Sequence, residues 1–160
     1  LGTQETSLIE LTAAYAAVGS GLAPVRPHGL PRTGLQSRRP IDPNLQRDLL
    51  DLLAHAVENG TGRRAHLAVP TFGKTGTTQD YRDALFVGMA GDLVTGVWLG
   101  NDDNAPMREV TGGTLPAEIW ARFMADALDT SRRGEPPPRF VQRDGRGHGF
   151  RARWRRFWGR

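Results

Sequence analysis

The 160-residue sequence has no cysteine. That excludes disulfides, a thiol nucleophile and thiolate metal ligands, and leaves the compartment open. It has a single lysine, Lys74, against 20 arginines. No apolar run reaches the roughly 18 residues a membrane span needs, and no signal peptide is visible. The four histidines, His28, His55, His66 and His148, have no ligand spacing. Asn101-Asp-Asp-Asn104 lacks the pattern of a calcium loop and reads as a polar turn. No metal or cofactor is expected. The chain begins at Leu1 instead of methionine, which suggests a piece of a longer protein.

The net charge of +4 hides an uneven distribution. Residues 131–160 carry ten arginines against Glu135 and Asp144, whereas residues 1–130 are mildly acidic, at −4. A basic balance confined to a tail does not describe a nucleic-acid-binding fold. From about Thr130 helical periodicity stops, and Glu135-Pro-Pro-Pro138 with the Gly/Arg repeats around 143–149 reads as disordered. Within that tail Phe150, Trp154, Phe157 and Trp158 follow helical spacing with arginines between them, a pattern suited to an anionic membrane surface. A solvated disordered arm is the plainer reading of the same residues.

The lone lysine stands in Phe72-Gly-Lys-Thr-Gly-Thr-Thr78. Lysine offers a compact point charge whose pKa shifts on burial, which arginine does not. On a strand, Thr75 and Thr77 share one face and Lys74 and Gly76 the other. Two hydroxyls on one face suit a carboxylate, a glycine between them clears space for a ligand backbone, and a backbone N–H there can meet a developing oxyanion. A polar edge strand with a threonine-rich turn accounts for the four letters equally well.

Around this stretch the pattern predicts three helices and an apolar hairpin. Ser7 and Glu10 have the spacing of a capping box, followed by a stripe of Leu8, Leu11, Ala14, Tyr15 and Val18 that Gly19 and Gly21 end. Pro24 to Pro40 reads as short extended pieces and turns. Asp42-Pro43 starts a second helix with Leu45, Leu49, Leu52, Leu53, Ala56 and Val57 as its buried stripe. Gly60-Thr-Gly62 is read as its stop instead of a phosphate-loop fragment. Leu85–Met89 and Val94–Leu99, apolar at nearly every position and joined at Gly91-Asp92, predict a hairpin of two interior strands. A third helix is predicted from Pro116 to Leu128, with Ile119, Trp120, Phe123, Met124 and Leu128 on its apolar face.

These blocks, in this order, resemble the C-terminal half of the transpeptidase domain of class A penicillin-binding proteins. The carriers are Leu1-Gly-Thr3 with Leu8-Ile-Glu-Leu-Thr-Ala-Ala-Tyr15, Gly60-Thr-Gly-Arg63 and Gly73-Lys-Thr-Gly-Thr-Thr-Gln79. They continue through Asp83-Ala84, Val97-Trp-Leu-Gly-Asn-Asp102 and Gly112-Gly-Thr-Leu-Pro-Ala-Glu-Ile-Trp120. Lys-Thr-Gly is one signature of the serine acyltransferases that include these proteins and class A β-lactamases. The resemblance implies an α+β fold of the β-lactamase/transpeptidase type, an antiparallel sheet with helices packed on it, over residues 1–129, with 130–160 as the basic tail. It also implies serine acyl transfer on peptidoglycan stem peptides ending in D-Ala-D-Ala, with β-lactams as mimics that stall the enzyme, and a parent that also carries a glycosyltransferase domain. The implied location is the periplasmic face of the bacterial inner membrane, anchored by an upstream segment. By this resemblance Lys74 is catalytic, Thr75 and Thr77 bind the substrate carboxylate, the Thr77 N–H forms half of the oxyanion hole, and Gly76 permits close approach.

One departure qualifies the match. The family also uses Ser-x-x-Lys and Ser-x-Asn, and none of Ser7, Ser20, Ser37 and Ser131 begins either motif. The expectation is therefore a fragment holding one wall of an active site. Its alternatives are a D,D-carboxypeptidase or β-lactamase, or a non-catalytic β-lactam-sensing or wall-binding domain.

Overall fold

A computed structural model describes residues 5–29 and 37–133. The sequence-predicted tail, with its aromatic and arginine positions at 150–158, lies outside the described residues. In chain order the elements are α1 (Leu8–Ser20), β1 (Leu22–Ala23), β2 (Arg39–Pro40), α2 (Pro43–Glu58), β3 (Thr71–Thr77), β4 (Asp83–Ala90), β5 (Leu93–Gly100) and α3 (Leu115–Arg133). Short 3₁₀ turns occupy Arg63–Ala65 and Gln79–Tyr81. Helix α3 runs about one turn further than its apolar periodicity predicted.

The architecture is mixed α+β, with an antiparallel sheet ordered β3-β4-β5 and a two-residue ladder joining β1 to β2. Cross-strand pairs lie on the same face of a sheet. The register therefore sorts the side chains. Thr71, Gly73, Thr75 and Thr77 share a face with Ala84, Phe86, Gly88 and Ala90, and Phe72, Lys74 and Gly76 share the other with Leu85, Val87 and Met89. Helix α3 packs on the first face. Trp120 is fully buried there, its ring edge-on to Phe86 at 5.1 Å between centroids, and its indole N–H donates to Thr95 O at 3.0 Å. Val57 near the end of α2 and Met124 of α3 complete this core. Helix α1 packs on the opposite face, directly over Gly96 of β5, where a Cβ would lie 2.5 Å from Thr12 Oγ1.

Local chemistry sets both ends of α1 and the start of α2 as the sequence predicted. Ser7 caps α1 in a complete capping box with Glu10, and Gly21 ends the helix in the left-handed conformation at φ 70°. The Asp42 carboxylate accepts from Asn44 N–H and Leu45 N–H at the start of α2. Asn59, one residue before the glycine expected to close α2, is its C-cap.

Burial does not follow the apolar stripes read from periodicity. On α1 the buried residues are Ala13 and Ala17, while Ala14 is exposed. The small side chains mark the line of closest approach to the sheet, and the larger Leu8, Leu11, Tyr15 and Val18 flank it half-buried. On α2 only Val57 is buried, and Leu45 (54 % exposed) and Leu52 (67 %) face outward. On α3 Trp120 and Met124 are buried, but Phe123 is 55 % exposed and Ile119 also reaches the surface. Each helix turns one face to the sheet, and these residues lie off that face. The hairpin is likewise asymmetric. β4 is the central strand and is buried almost throughout, whereas β5 is an edge strand among the described residues, and its side chains are half-buried or exposed.

Candidate functional site

Among the described residues β3 is the other edge of the sheet, and its hairpin register is pinned at the turn. Thr78 N–H donates to Asp83 O at 2.9 Å, and Asp83 N–H donates to Thr78 Oγ1 at 2.7 Å. The Asp83 carboxylate accepts from the Thr78 hydroxyl and from the Trp98 indole N–H, at 3.1 and 3.0 Å. One side chain thus ties the turn to both strands of the β4–β5 pair. The turn itself holds Asp80 and Tyr81 at positive φ, 60° and 56°.

This register decides which way the backbone of β3 points. Successive residues of an antiparallel strand turn their N–H and C=O groups to opposite edges. Thr78 faces β4, so Phe72, Lys74 and Gly76 do too, and Gly73, Thr75 and Thr77 present their backbone groups to the free edge. Lys74 confirms this direction. Its side chain leaves from the α1 face, folds over the edge and donates from Nζ to Thr75 O at 3.0 Å and to Thr75 Oγ1 at 3.3 Å. The single lysine, a threonine hydroxyl, an edge carbonyl and the outward N–H of Thr77 therefore lie along one rim.

Thr75 and Thr77 occupy the same face, as the alternation required. Their hydroxyls are held by different neighbours. Thr77 Oγ1 accepts from Gly112 N–H at 3.1 Å, which leaves its proton available. Thr75 Oγ1 lies 2.6 Å from Thr61 Oγ1. Thr61 sits in the turn after α2, which Gly62 N–H fixes by donating to Ala56 O at 3.0 Å. The Gly112-Gly113 turn before α3 closes on both. A Cβ on Gly113 would meet Thr61 O at 2.4 Å, and one on Gly112 would meet Gly76 O at 2.5 Å. The space a side chain would need at Gly76 is taken by Leu85, whose Cγ would be 2.9 Å away.

Sequence reasoning found Lys74, Thr75, Gly76 and Thr77 because they are contiguous. It read Gly60-Thr-Gly62 as a helix stop and missed Thr61. The available signal was the Gly60-Thr-Gly-Arg63 block itself, whose middle residue is polar between two glycines. Asn101–Asn104 is a turn satisfied internally, with Asn104 N–H donating to Asn101 O and Asn101 Nδ2 to Ala105 O, both at 2.9 Å. Among the described residues no three His, Asp or Glu side chains gather as metal ligands.

What the rim offers is a cation, two hydroxyls and an edge amide, a set of donors for an anion with an extended backbone beside it. Comparison with known proteins gives the setting. The chain is similar to part of penicillin-binding protein 1A. It is 40% identical over 95 residues to that of Pseudomonas aeruginosa, covering 58% of this chain and 12% of the relative. It is 32% identical over 137 residues to that of Aquifex aeolicus, covering 78% and 19%. A further match is to penicillin-binding protein 1B of Vibrio cholerae, 40% identical over 75 residues, 45% of this chain and 10% of that protein. The chain thus spans at most about a fifth of the length of these relatives. No family model matches it. Among solved structures the fold is like that of a protein from Atopobium parvulum described as a peptidoglycan glycosyltransferase, with a TM-score of 0.54 and 21% identity over 81% of this chain and 34% of that one. Among the described residues no helix is long and apolar enough to cross a membrane.

Proposed function

We propose that this chain forms one wall of the acyl-transfer site in the transpeptidase domain of a class A penicillin-binding protein. The observation that carries the reading is the rim of β3, where Lys74 Nζ and Thr75 Oγ1 stand 3.3 Å apart beside the outward N–H of Thr77. Similarity to penicillin-binding proteins 1A and 1B supports it. In this reading the hydroxyls of Thr75 and Thr77 hold the carboxylate of a D-Ala-D-Ala stem peptide or of a β-lactam. The Thr77 N–H stabilises the oxyanion that develops when a serine from elsewhere in the parent attacks the carbonyl. Lys74 supplies the positive charge that orients the carboxylate and favours proton movement at the nucleophile. Gly76, expected to permit close approach of the substrate, instead makes room for Leu85 on the face opposite the two threonines, and the substrate backbone lies along the outward edge of Thr75 and Thr77. The parent acts at the periplasmic face of the inner membrane and carries a glycosyltransferase domain upstream.

The test is acylation of the full-length parent by a fluorescent penicillin. Lys74→Ala is expected to slow acylation by about 10²–10³, the scale of losing one preorganised electrostatic contact in an acyl-transfer site. Lys74→Arg is expected to fail nearly as badly, since a broad non-titrating fork replaces a point charge. Wild-type rates in both variants would remove Lys74 from the mechanism.

A further inference from the structure

The contact between Thr61 and Thr75 has a consequence that depends on counting protons. A threonine hydroxyl donates one hydrogen bond and accepts up to two. Lys74 Nζ, an ammonium, can only donate, so Thr75 Oγ1 accepts from it across 3.3 Å. The 2.6 Å contact with Thr61 Oγ1 can run either way. If Thr75 donates to Thr61, its one proton is spent inside the protein and nothing remains for an anion. If Thr61 donates, both acceptor positions of Thr75 Oγ1 are filled, one by Thr61 and one by Lys74, and its own proton is left for a ligand.

The geometry points to Thr61 as a positioning residue for carboxylate recognition, donating a hydrogen bond to Thr75 Oγ1 so that Thr75 presents its own proton to the ligand. This inference rests on the transpeptidase reading of the rim and names a residue outside the Lys-Thr-Gly-Thr stretch. Three features support it. Thr61 is held by a built turn between Ala56 and Gly62 and is packed at its carbonyl by Gly113, so its hydroxyl approaches Thr75 from a fixed side. Donors aligned head to tail polarise one another, strengthening the terminal bond. The ligand's negative charge itself selects the arrangement in which Thr75 donates, because the reverse leaves an acceptor oxygen facing an anion. Thr61 touches neither ligand nor nucleophile in this scheme, and its effect is confined to ligands that carry the carboxylate.

That restriction defines the experiment. In the full-length parent, second-order acylation rate constants are measured with a penicillin and with the methyl ester of the same penicillin, for wild type, Thr61→Val and Thr61→Ser. Both ligands are measured on one preparation, so their ratio is independent of the folded fraction. Thr61→Val is expected to lower the carboxylate-to-ester ratio about tenfold, the scale of weakening one hydrogen bond to a charged group. Thr61→Ser, which keeps the hydroxyl, restores it. An unchanged ratio in Thr61→Val, or equal slowing with both ligands, overturns the positioning role. Absence of acylation in the wild-type parent is a different failure, since it overturns the reading of the rim and the positioning role with it.

Discussion

At the scale of single residues the rim depends on a ring beneath it. Phe86 is Thr75's cross-strand partner and is fully buried. Three glycines clear its slot. A Cβ on Gly73 would stand 2.5 Å from its Cζ, one on Gly88 2.9 Å from its Cε1 and one on Gly62 3.3 Å from its Cε2. Gly73 and Gly62 belong to the blocks that carry Lys74 and Thr61, so the same short segments supply the polar surface and the room below it. Gly73→Ala in the parent is expected to destabilise by about 1–3 kcal/mol, the usual cost of overpacking a filled core. The check is a denaturation curve, and an unchanged midpoint would mean that Phe86 can swing aside. Contiguity explains what could be read in advance. Lys74, Thr75 and Thr77 announce themselves through strand alternation, whereas the pairing of Thr75 with Thr61 spans fourteen residues and a turn. The polar residue between two glycines marks Thr61, but no local pattern gives its partner.

At the scale of elements, helix ends were more legible than helix faces. Capping is local chemistry, and Ser7 with Glu10, and Asp42 with Asn44 and Leu45, form as their spacing predicts. Periodicity identifies residues that share a face but not how much of it another element covers. Hence Leu45, Leu52, Phe123 and Ile119 belong to real stripes yet lie at the surface. Topology escaped in the same way, since an apolar run such as β5 reads as interior although it ends the described sheet. The cap on α1 also gives a pH dependence. Hydrogen bonds from the Ser7 hydroxyl, and then from the Ser7 N–H, hold the Glu10 carboxyl below the ordinary glutamate range. A carboxyl lowered by folding contributes stability above its unfolded pKa and loses that contribution as pH falls through its folded value. The melting temperature of Glu10→Gln is therefore expected to lie below wild type near neutral pH, with the gap closing in acid. A gap constant with pH would show that the carboxylate's charge plays no part.

At the scale of the molecule, the described residues make the rim of β3 and helices on both faces of the sheet that brace it. Ser7 and Ser20 are engaged locally, Ser7 with Glu10 and Ser20 with Ala17 O and Leu22 O. No serine in the sequence has a lysine three residues later. Acyl transfer needs a nucleophile within hydrogen-bond reach of its base. Expressed alone, the chain is thus expected to take no covalent label from fluorescent penicillin, and mass spectrometry of the labelled parent is expected to place the adduct on a serine outside these 160 residues. An adduct on one of the chain's own serines would overturn that division of labour. The pinned hairpin carries one more implication, which concerns chain length. Because Lys74, Thr75 and Thr77 owe their directions to alternation, the rim is a matter of odd and even. Losing or gaining one residue between Asp83 and Thr77, with the β4 pairing kept, would exchange the two sets, burying the Thr77 amide in the ladder and turning both hydroxyls toward α1. A substitution in that turn keeps the count of residues and so the alternation, but a deletion of one residue inverts the rim.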